Sequence, residues 1–278
     1  STVPSSDLGS DSCNHQADTA SFKQVAEPKA SERELLLKRL RPDGAEDAFL
    51  VVGMGTVQHR KGVDLFVAAA AAARRLAPQR KMRFVWIGHG YNPSFDLQYS
   101  VYLEAQIELS RMGEHLEIID NVSDVEPIYE EMDVLMLTSR LDPLPNVSID
   151  AALRGVPVVC FEDASGMAEL LAEDSSTREL VVPHLDSGAA GQVVADLAVN
   201  QDRQDRVCAA IRRFAEAKFD MCQYVAALDE LGVKAALEAD RIKEDKQALL
   251  AGKVFDEIFY RGEVLPGDSK EDAINHYL

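Results

Sequence analysis

Short apolar runs alternate with amphipathic stretches along the chain from residue 48 onward. Each run of four to six residues leads into a loop with Gly or Asp and then into a stretch with helical spacing of its apolar positions. The pattern predicts strands at 49–53, 84–87, 116–119, 134–137, 156–161 and 180–182. The stretches between them predict helices at 63–76, 98–112, 125–131, 147–153, 167–171 and 189–199.

Regular alternation of strands and helices is typical of α/β proteins with a parallel sheet and helices on both faces. We therefore predict a Rossmann-like domain at 46–222, with its ligand site at the carboxyl ends of the strands. Residues 1–45 are interpreted as a flexible polar tail and a lead-in helix at 31–41, with Ser31 as its N-cap. Residues 223–278 predict a helical extension, with a charged helix after Gly232 and an aromatic end, FDEIFY…HYL.

Composition narrows the classes of function. The chain has 278 residues, of which 46% are apolar, enough for one good core and a small accessory unit. Its net charge of -18 argues against binding to nucleic acid or to an anionic membrane surface. The four cysteines lack the spacing of a metal site, which predicts reduced thiols in a cytosolic protein. No apolar run reaches the length of a membrane span, and the polar start is not a signal peptide.

The segment SRLDPLPNVSIDAALRGVPVV, at 139–159, holds the most informative chemistry. Pro143 and Pro145 stiffen the chain in an extended form, so we expect Asn146 to cap a short helix at 147–153. Its free amides and the helix dipole would favour a phosphate.

Two carboxylates flank that helix start. Asp142 lies just before the predicted cap, and Asp150 lies one turn inside the helix, so both can line one pocket around the phosphate. There they would accept hydrogen bonds from ligand hydroxyls. From spacing alone, the simpler interpretation, that the two aspartates only stabilise the helix dipole, is favoured.

A second informative segment is VVGMGTVQHRKGVDLF, at 51–66, a strand followed by a Gly-containing loop and a helix. Gly53 and Gly55 would permit close approach of the backbone to a ligand. Arg60 and Lys61 place two positive charges where a diphosphate can be bound. As a bare dipeptide they are also typical of a solvated surface pair.

The first of these segments resembles the signature of glycosyltransferase family 4, which comprises retaining sugar transferases of the GT-B fold. In one branch of that family the sequence runs close to SREDPFPNVVLEAMAxGxPVV. Two positions depart from the pattern, because Leu141 replaces a frequent Glu and Asp150 replaces a Glu that is one methylene longer. The matching residues are Ser139, Arg140, Asp142, Pro143, Pro145, Asn146, Val147, Ala151, Gly155, Pro157, Val158 and Val159.

The second segment is similar to the family pattern GxGxxxxRKGxDLF. The resemblance implies that Arg60 and Lys61 bind the donor diphosphate, that Asp142 holds hydroxyls of the transferred sugar, and that Asp150 holds the ribose. Two further expectations concern the phosphate and the base. Pro145, Asn146 and Val147 would border the phosphate, while Asn121 and Val122 would lie against the base, with His89 of FVWIGHG either nearby or exposed to water.

A third segment, ASGMAELL, resembles the family's GGxxE turn through Ser165, Gly166 and Glu169. That turn starts another helix, whose amides could also face the sugar or the phosphate.

At the level of the whole protein, the resemblance implies the C-terminal, donor-binding half of a hexosyl-type transferase acting in bacterial polysaccharide synthesis. Its partners would be a nucleotide-diphosphate sugar such as a UDP- or GDP-sugar and a saccharide or lipid-linked acceptor. The acceptor would enter from a missing N-terminal domain, without which this fragment would be inactive. No cofactor or bound metal is expected. The location implied is cytoplasmic, or peripheral at the inner membrane through the missing domain.

Alternative functions on the same fold stay open at this point. A non-catalytic nucleotide-sugar-binding module is compatible with Leu141 and the short Asp150. A GT-B type nucleotide-sugar epimerase would need further acidic residues at the cleft, and a phosphorylase would need a lysine for pyridoxal phosphate. No segment argues for either enzyme.

Overall fold

The structure is a computed structural model and describes residues 30–251. Within that range, six parallel strands form one sheet in the order β3-β2-β1-β4-β5-β6. The strands are β1 (Phe49–Met54), β2 (Met82–Ile87), β3 (Leu116–Ile119), β4 (Val134–Leu137), β5 (Val158–Phe161) and β6 (Val181–Val182). The helices are α1 (Ala30–Leu40), α2 (Val63–Leu76), α3 (Ser100–Leu109), α4 (Glu126–Glu131), α5 (Asn146–Leu153), α6 (Gly166–Glu173), α7 (Ser187–Val199), α8 (Gln201–Lys218) and α9 (Met221–Ala251). Short 3-10 turns lie at His59–Lys61 and Arg178–Leu180.

The order of the strands indicates where in the sheet a ligand site is expected. β1 lies in the middle of the sheet and pairs with both β2 and β4, so the winding of the chain reverses there. In open parallel sheets, ligands bind at the carboxyl ends of the strands beside such a reversal. The loops after β1 and β4 therefore define the candidate site, and the predicted Rossmann-like fold is confirmed.

The core explains why the apolar runs form strands. Every residue of β1, β2, β4 and β5 is buried, as expected for strands covered by helices on both faces. Phe66 of α2 packs edge-to-face against Trp86 of β2, with 5.3 Å between the ring centroids. Gly191 allows α7 to lie close to α2, because a Cβ there would lie 2.6 Å from the carbonyl oxygen of Ala69.

Several predicted boundaries are wrong. Ser31 lies within α1, so it is not the cap of the lead-in helix. The helix predicted at 98–112 is shorter. Asp96 accepts hydrogen bonds from the amides of Gln98, Tyr99 and Ser100, so α3 begins at Ser100, and Arg111 adopts a left-handed conformation (φ 56°) after its end. The strand predicted at 156–161 begins at Val158.

The helices after residue 200 also differ from the prediction. α8 was not predicted; its N-cap is Asn200, whose side chain accepts from the amide of Arg203 at 3.0 Å. The helical extension is present, but α9 begins at Met221 and runs through Gly232 without a break. The tail at 1–29 and the aromatic end with Phe255 and Tyr277 lie outside the described residues.

Candidate functional site

Two loops meet at the carboxyl edge of the sheet, one after β1 and one after β4. The amide of Arg140 donates to the carbonyl of Arg60 at 2.8 Å, and the Thr138 hydroxyl donates to the carbonyl of Gly62 at 2.9 Å. Gly62 has φ 69°, and a Cβ there would lie 1.9 Å from the carbonyl oxygen of Thr138. The close approach of the two loops therefore requires glycine at this position.

The contact brings three of the predicted site residues together. The Lys61 ammonium forms an ion pair with Oδ2 of Asp142, which also accepts from the Ser139 hydroxyl at 3.3 Å. The Lys61 and Asp142 side chains are only 15% and 10% exposed. Arg60, 47% exposed, donates to the carbonyl of Leu141 at 2.9 Å and lies 3.6 Å from Oδ1 of Asp142.

The Asp142 loop is held on its other side by the start of α6. The Asp142 amide donates to Ala164 at 2.8 Å, and the Gly166 amide donates to Pro143 at 2.6 Å. A Cβ on Gly166 would lie 2.4 Å from the Pro143 carbonyl oxygen. The turn resembling GGxxE therefore supports the loop, and the Gly166 amide that was predicted to face a ligand already has a protein acceptor.

The start of α5 differs in one detail from the prediction. Pro145 is the N-cap, with an extended backbone, and Asn146 is the first helical residue, so its predicted capping role is wrong. The physical reason is the proline itself, which fixes an extended conformation where the helix must begin. The amide and hydroxyl of Ser148 both donate to the Pro145 carbonyl. The amides of Asn146 and Val147 have no acceptor within residues 30–251.

Asp150 has a different set of neighbours from Asp142. Its Oδ2 lies 3.5 Å from the Tyr129 hydroxyl, and burial, together with Asp150, raises the pKa of Tyr129. Arg154 stacks over the Tyr129 ring at 4.6 Å from the centroid. The two aspartates share no protein partner in the described part of the chain, so their meeting around one ligand stays a prediction.

The predicted base contacts lie at the end of β3. Oδ1 of Asn121 accepts from the His89 amide at 3.1 Å, which ties the loops after β2 and β3 together. Asn121 and Val122 line a cavity of about 330 Å³ beside α1. Sequence reasoning named His89 and Asn121 separately and did not foresee their contact.

The two glycines that were predicted to permit close approach of a ligand have different surroundings. Gly53 is buried within β1, where a Cβ would lie 2.3 Å from the Trp86 ring, so core packing requires glycine there, and its role in ligand approach stays a prediction. Gly55 does lie at the site. It has φ 141°, the Lys61 side chain is 3.3 Å from the position of a Cβ, and its carbonyl accepts from the Trp86 indole at 2.8 Å.

One cluster at the site was missed by sequence reasoning. Arg140 donates to both carboxylate oxygens of Asp64, at 2.9 and 2.7 Å, and to the His59 carbonyl at 2.7 Å. The Tyr99 hydroxyl donates to Asp64 at 2.8 Å. Burial raises the pKa of Asp64, but hydrogen bonds from Arg140 and Tyr99 more than compensate, and the pKa lies below its ordinary value. Arg140 and Asp64 were both within matched motifs, which was the available signal.

Residues 30–251 contain neither a candidate metal-binding group nor a candidate membrane-spanning helix. No group of three or more His, Cys, Asp or Glu side chains there could hold a metal ion. No helix of that part is both long enough and apolar enough to cross a membrane.

Comparison with known sequences gives a family match over the same region. The family described as glycosyl transferases group 1 matches residues 47–200. The chain is also 30% identical over 155 residues to the Vi polysaccharide biosynthesis protein VipC/TviE of Salmonella typhi. That alignment covers 55% of this chain and 23% of the relative, so the chain spans about a quarter of that protein.

Solved structures show the same fold. HepE of Anabaena in complex with UDP matches 74% of this chain and 53% of its own length, with TM-score 0.62 and 18% identity. A glycosyltransferase of Rickettsia africae matches with TM-score 0.59 and 15% identity, over 75% and 52% of the two chains. TarM of S. aureus matches with TM-score 0.58 and 14% identity, over 66% and 35%. The described domain therefore has the fold of one Rossmann-like half of a GT-B protein.

Proposed function

This chain belongs to the glycosyl transferases group 1 family, and we propose that it is the donor-binding part of a retaining glycosyltransferase. The proposed reaction moves a hexosyl group from a nucleotide-diphosphate sugar to a glycan or lipid-linked saccharide in bacterial polysaccharide synthesis. The name of the S. typhi relative and the UDP-glucose complex of HepE support this choice. The chain spans about half of the HepE structure, and the proposal assigns acceptor binding to a second domain outside this chain.

The observation that carries the proposal is the position of Arg60 and Lys61 against Asp142, in the loop that leads into α5. Both cations lie at the carboxyl edge of the sheet, and the amides of Asn146 and Val147 at the start of α5 have no acceptor among the described residues. A diphosphate is the chemical group that such an arrangement fits best. A carboxylate in the same cluster, Asp142, matches the hydroxyls of an attached sugar.

The mechanism follows from the charge that develops on the leaving group. Cleavage of the bond between the anomeric carbon and the diphosphate oxygen leaves negative charge on the diphosphate. Arg60, Lys61 and the amides at the start of α5 would stabilise that charge in place, because they are already oriented by the two loops. In this proposal the protein's own cations supply the positive charge, without a bound metal or cofactor.

The sugar would be held by Asp142. Its Oδ2 is occupied by Lys61 and Ser139, whereas Oδ1 has the longer, 3.6 Å contact with Arg60. We assign Oδ1 to the sugar hydroxyls. Oδ2 then keeps Lys61 directed toward the diphosphate, so a single carboxylate orients both the sugar and the cation.

The nucleoside would lie along the other side of α5. Asp150 is assigned to the ribose hydroxyls, with the Tyr129 hydroxyl beside its carboxylate. Asn121 and Val122 are assigned to the base. The hydrogen bond from the His89 amide to Asn121 holds the loop after β3 in place.

Calorimetric titration of the folded chain with UDP, GDP and ADP, and with the matching nucleosides, tests the proposal. We expect at least one diphosphate to bind in the micromolar to millimolar range and its nucleoside to bind much more weakly. Failure of all three diphosphates to bind at millimolar concentration would refute the donor-site assignment.

A further inference from the structure

A second concave region lies at the opposite, amino edge of the sheet. It is a cavity of about 420 Å³ bounded by the turn before β1 and the loops that lead into β2 and β3. None of the residues assigned to the donor site lines it. The lining residues are Pro42, Asp43, Gly44, Ala45, Ala48, Arg74, Pro78, Gln79, Arg80, Lys81, Met82, Arg83, Glu114 and His115.

The cavity is basic, although the chain as a whole carries a net charge of -18. Four of its lining residues are Lys or Arg and two are acidic. Arg74, Arg80 and Lys81 form no salt bridge with any carboxylate of residues 30–251. Glu46 acts on Lys81 and Asp133 acts on Arg80 only at longer range, so none of the three cations has a direct carboxylate contact within residues 30–251.

Two of the arginines also have unsatisfied donors. Arg83 is 6% exposed; its Nη2 binds Glu117 and the Arg39 carbonyl, but its buried Nε has no acceptor among the described residues. The buried Nε of Arg80 has no acceptor within residues 30–251 either. The Arg80 guanidinium donates no hydrogen bond to any described residue. A buried donor without an acceptor costs free energy, but the two buried Nε atoms are out of reach of a ligand. The Nη atoms of Arg80 are accessible and have no acceptor among the described residues, so they favour an acceptor from outside the chain.

The neighbouring histidine is affected mainly by its burial. Burial lowers the pKa of His115 most; the charge of Arg74 lowers it further, Glu114 opposes this, and Arg83 has the smallest effect. A simpler role for cations at this edge is to offset the negative end of a helix dipole, and Arg74 in the last turn of α2 fits that role. Arg80 and Arg83 lie beyond the helix, so a role at the helix dipole does not explain why some of their donors have no acceptor among the described residues.

We propose that this cavity is a second ligand site, which binds a phosphorylated small molecule independently of the donor site. Guanidinium groups match phosphate oxygens in geometry as well as charge. The volume of about 420 Å³ exceeds what a bare phosphate needs and falls within the range of small-molecule pockets. A phosphate ester of the size of a sugar phosphate fits both the charge and the space.

The test measures binding of inorganic pyrophosphate to the full 278-residue chain by calorimetry. All substitutions are made in the double variant Arg60→Ala/Lys61→Ala, which lacks the side-chain cations of the proposed donor site. Pyrophosphate binding to this background variant therefore does not depend on the proposed function. Into that background Arg80→Ala and Lys81→Ala are introduced separately. The matched control is Arg75→Ala, since Arg75 is exposed on the same α2 turn as Arg74 and does not line the cavity.

We expect pyrophosphate to bind the background variant and each cavity substitution to weaken that binding by about tenfold, as loss of a charge-assisted hydrogen bond predicts. Arg75→Ala should change it by less than about twofold. Absence of binding to the background variant would overturn the proposal. Equal losses in all three variants would overturn it as well, because they would indicate a general effect of net charge. Lys81 is exposed, so its variant decides the question if Arg80→Ala fails to fold.

Discussion

Lys61 and Asp142 are 81 positions apart in the chain and form an ion pair at the carboxyl edge of the sheet. Each residue comes from a different loop, and each loop is fixed by backbone contacts such as the one between Arg140 and Arg60. The pair therefore depends on the whole strand order, in which β1 and β4 are neighbours. The ion pair also holds the Lys61 ammonium in the proposed site before any ligand binds.

The first prediction concerns the two cations. Lys61→Ala or Arg60→Ala should weaken binding of a nucleoside diphosphate by at least about tenfold, because each loses a charged donor to the phosphates. Binding of the nucleoside alone should change by less than about twofold. The measurement is calorimetric titration with both ligands. Lys234→Ala, an exposed lysine of α9, is the matched control for net charge and should leave both affinities unchanged.

The second prediction concerns the ion pair itself. Asp142→Asn should lower the free energy of unfolding by about 3 kcal/mol, since it leaves the mostly buried Lys61 ammonium without its carboxylate. Lys61→Met in the same background should recover part of that loss, giving a coupling energy of about 1–3 kcal/mol in a double-mutant cycle. Urea unfolding of the four proteins measures it. Strict additivity of the two substitutions would show that the pair contributes nothing.

The third prediction concerns pH and the cluster around Asp64. Because the pKa of Asp64 is lowered below its ordinary value of 3.8, the carboxylate stabilises the fold fully above that pH. The contribution is lost as the pH falls through the lower pKa of the folded state. Asp64→Asn should therefore destabilise the protein at about pH 6 and have a much smaller effect at about pH 3. Urea unfolding at both pH values checks this, and an equal effect at both would contradict the assignment.

The same cluster is expected to position the first loop. Arg140→Lys keeps the charge but loses the paired hydrogen bonds to Asp64 and the bond to the His59 carbonyl. Nucleoside diphosphate affinity should fall severalfold, although Arg140 is not assigned to the ligand. A conservative Tyr99→Phe substitution removes one hydrogen bond to Asp64 and should have the smaller effect. The reverse order of the two losses would contradict this positioning role.

The fifth prediction concerns core packing at Gly53. Gly53→Ala should lower the free energy of unfolding by about 1–3 kcal/mol, because the new Cβ would overlap the Trp86 ring. Trp86 is the one tryptophan of the chain, so its fluorescence should shift as well. Gly232→Ala is the control. Its Cβ would meet nothing within 4 Å, and in the exposed α9 it should be neutral or slightly stabilising.

Much of this fold could be predicted from the pattern of apolar residues. The strands of the sheet are buried on both faces and therefore appear as continuous apolar runs, as in FLVVGM of β1. α8 was missed because it begins with the polar run QDRQDR and has two arginines between Ile211 and Phe214, although the spacing of Val207, Ile211 and Phe214 suits one helical face. Gly232 suggested a helix start, but an exposed helix accommodates glycine at modest energetic cost.

The sequence predicted which residues lie at the candidate site better than it predicted the contacts between them. Arg60, Lys61 and Asp142 carry the charges that the motifs suggested, and the structure brings them together. The capping role of Asn146 failed because Pro145 already supplies the extended residue that a helix start needs. The bond between Arg140 and Asp64 joins residues 76 positions apart, and no local spacing reveals such a contact.

The central claim is that a nucleoside diphosphate binds where Lys61, Asp142 and the start of α5 meet. Amide chemical-shift mapping by NMR, on the folded chain titrated with the diphosphate that binds in calorimetry, tests this most directly. We predict the largest shifts at 59–62 and at the amides of Asn146 and Val147. Shifts confined to the amino edge of the sheet, around Arg80 and His115, would contradict the account.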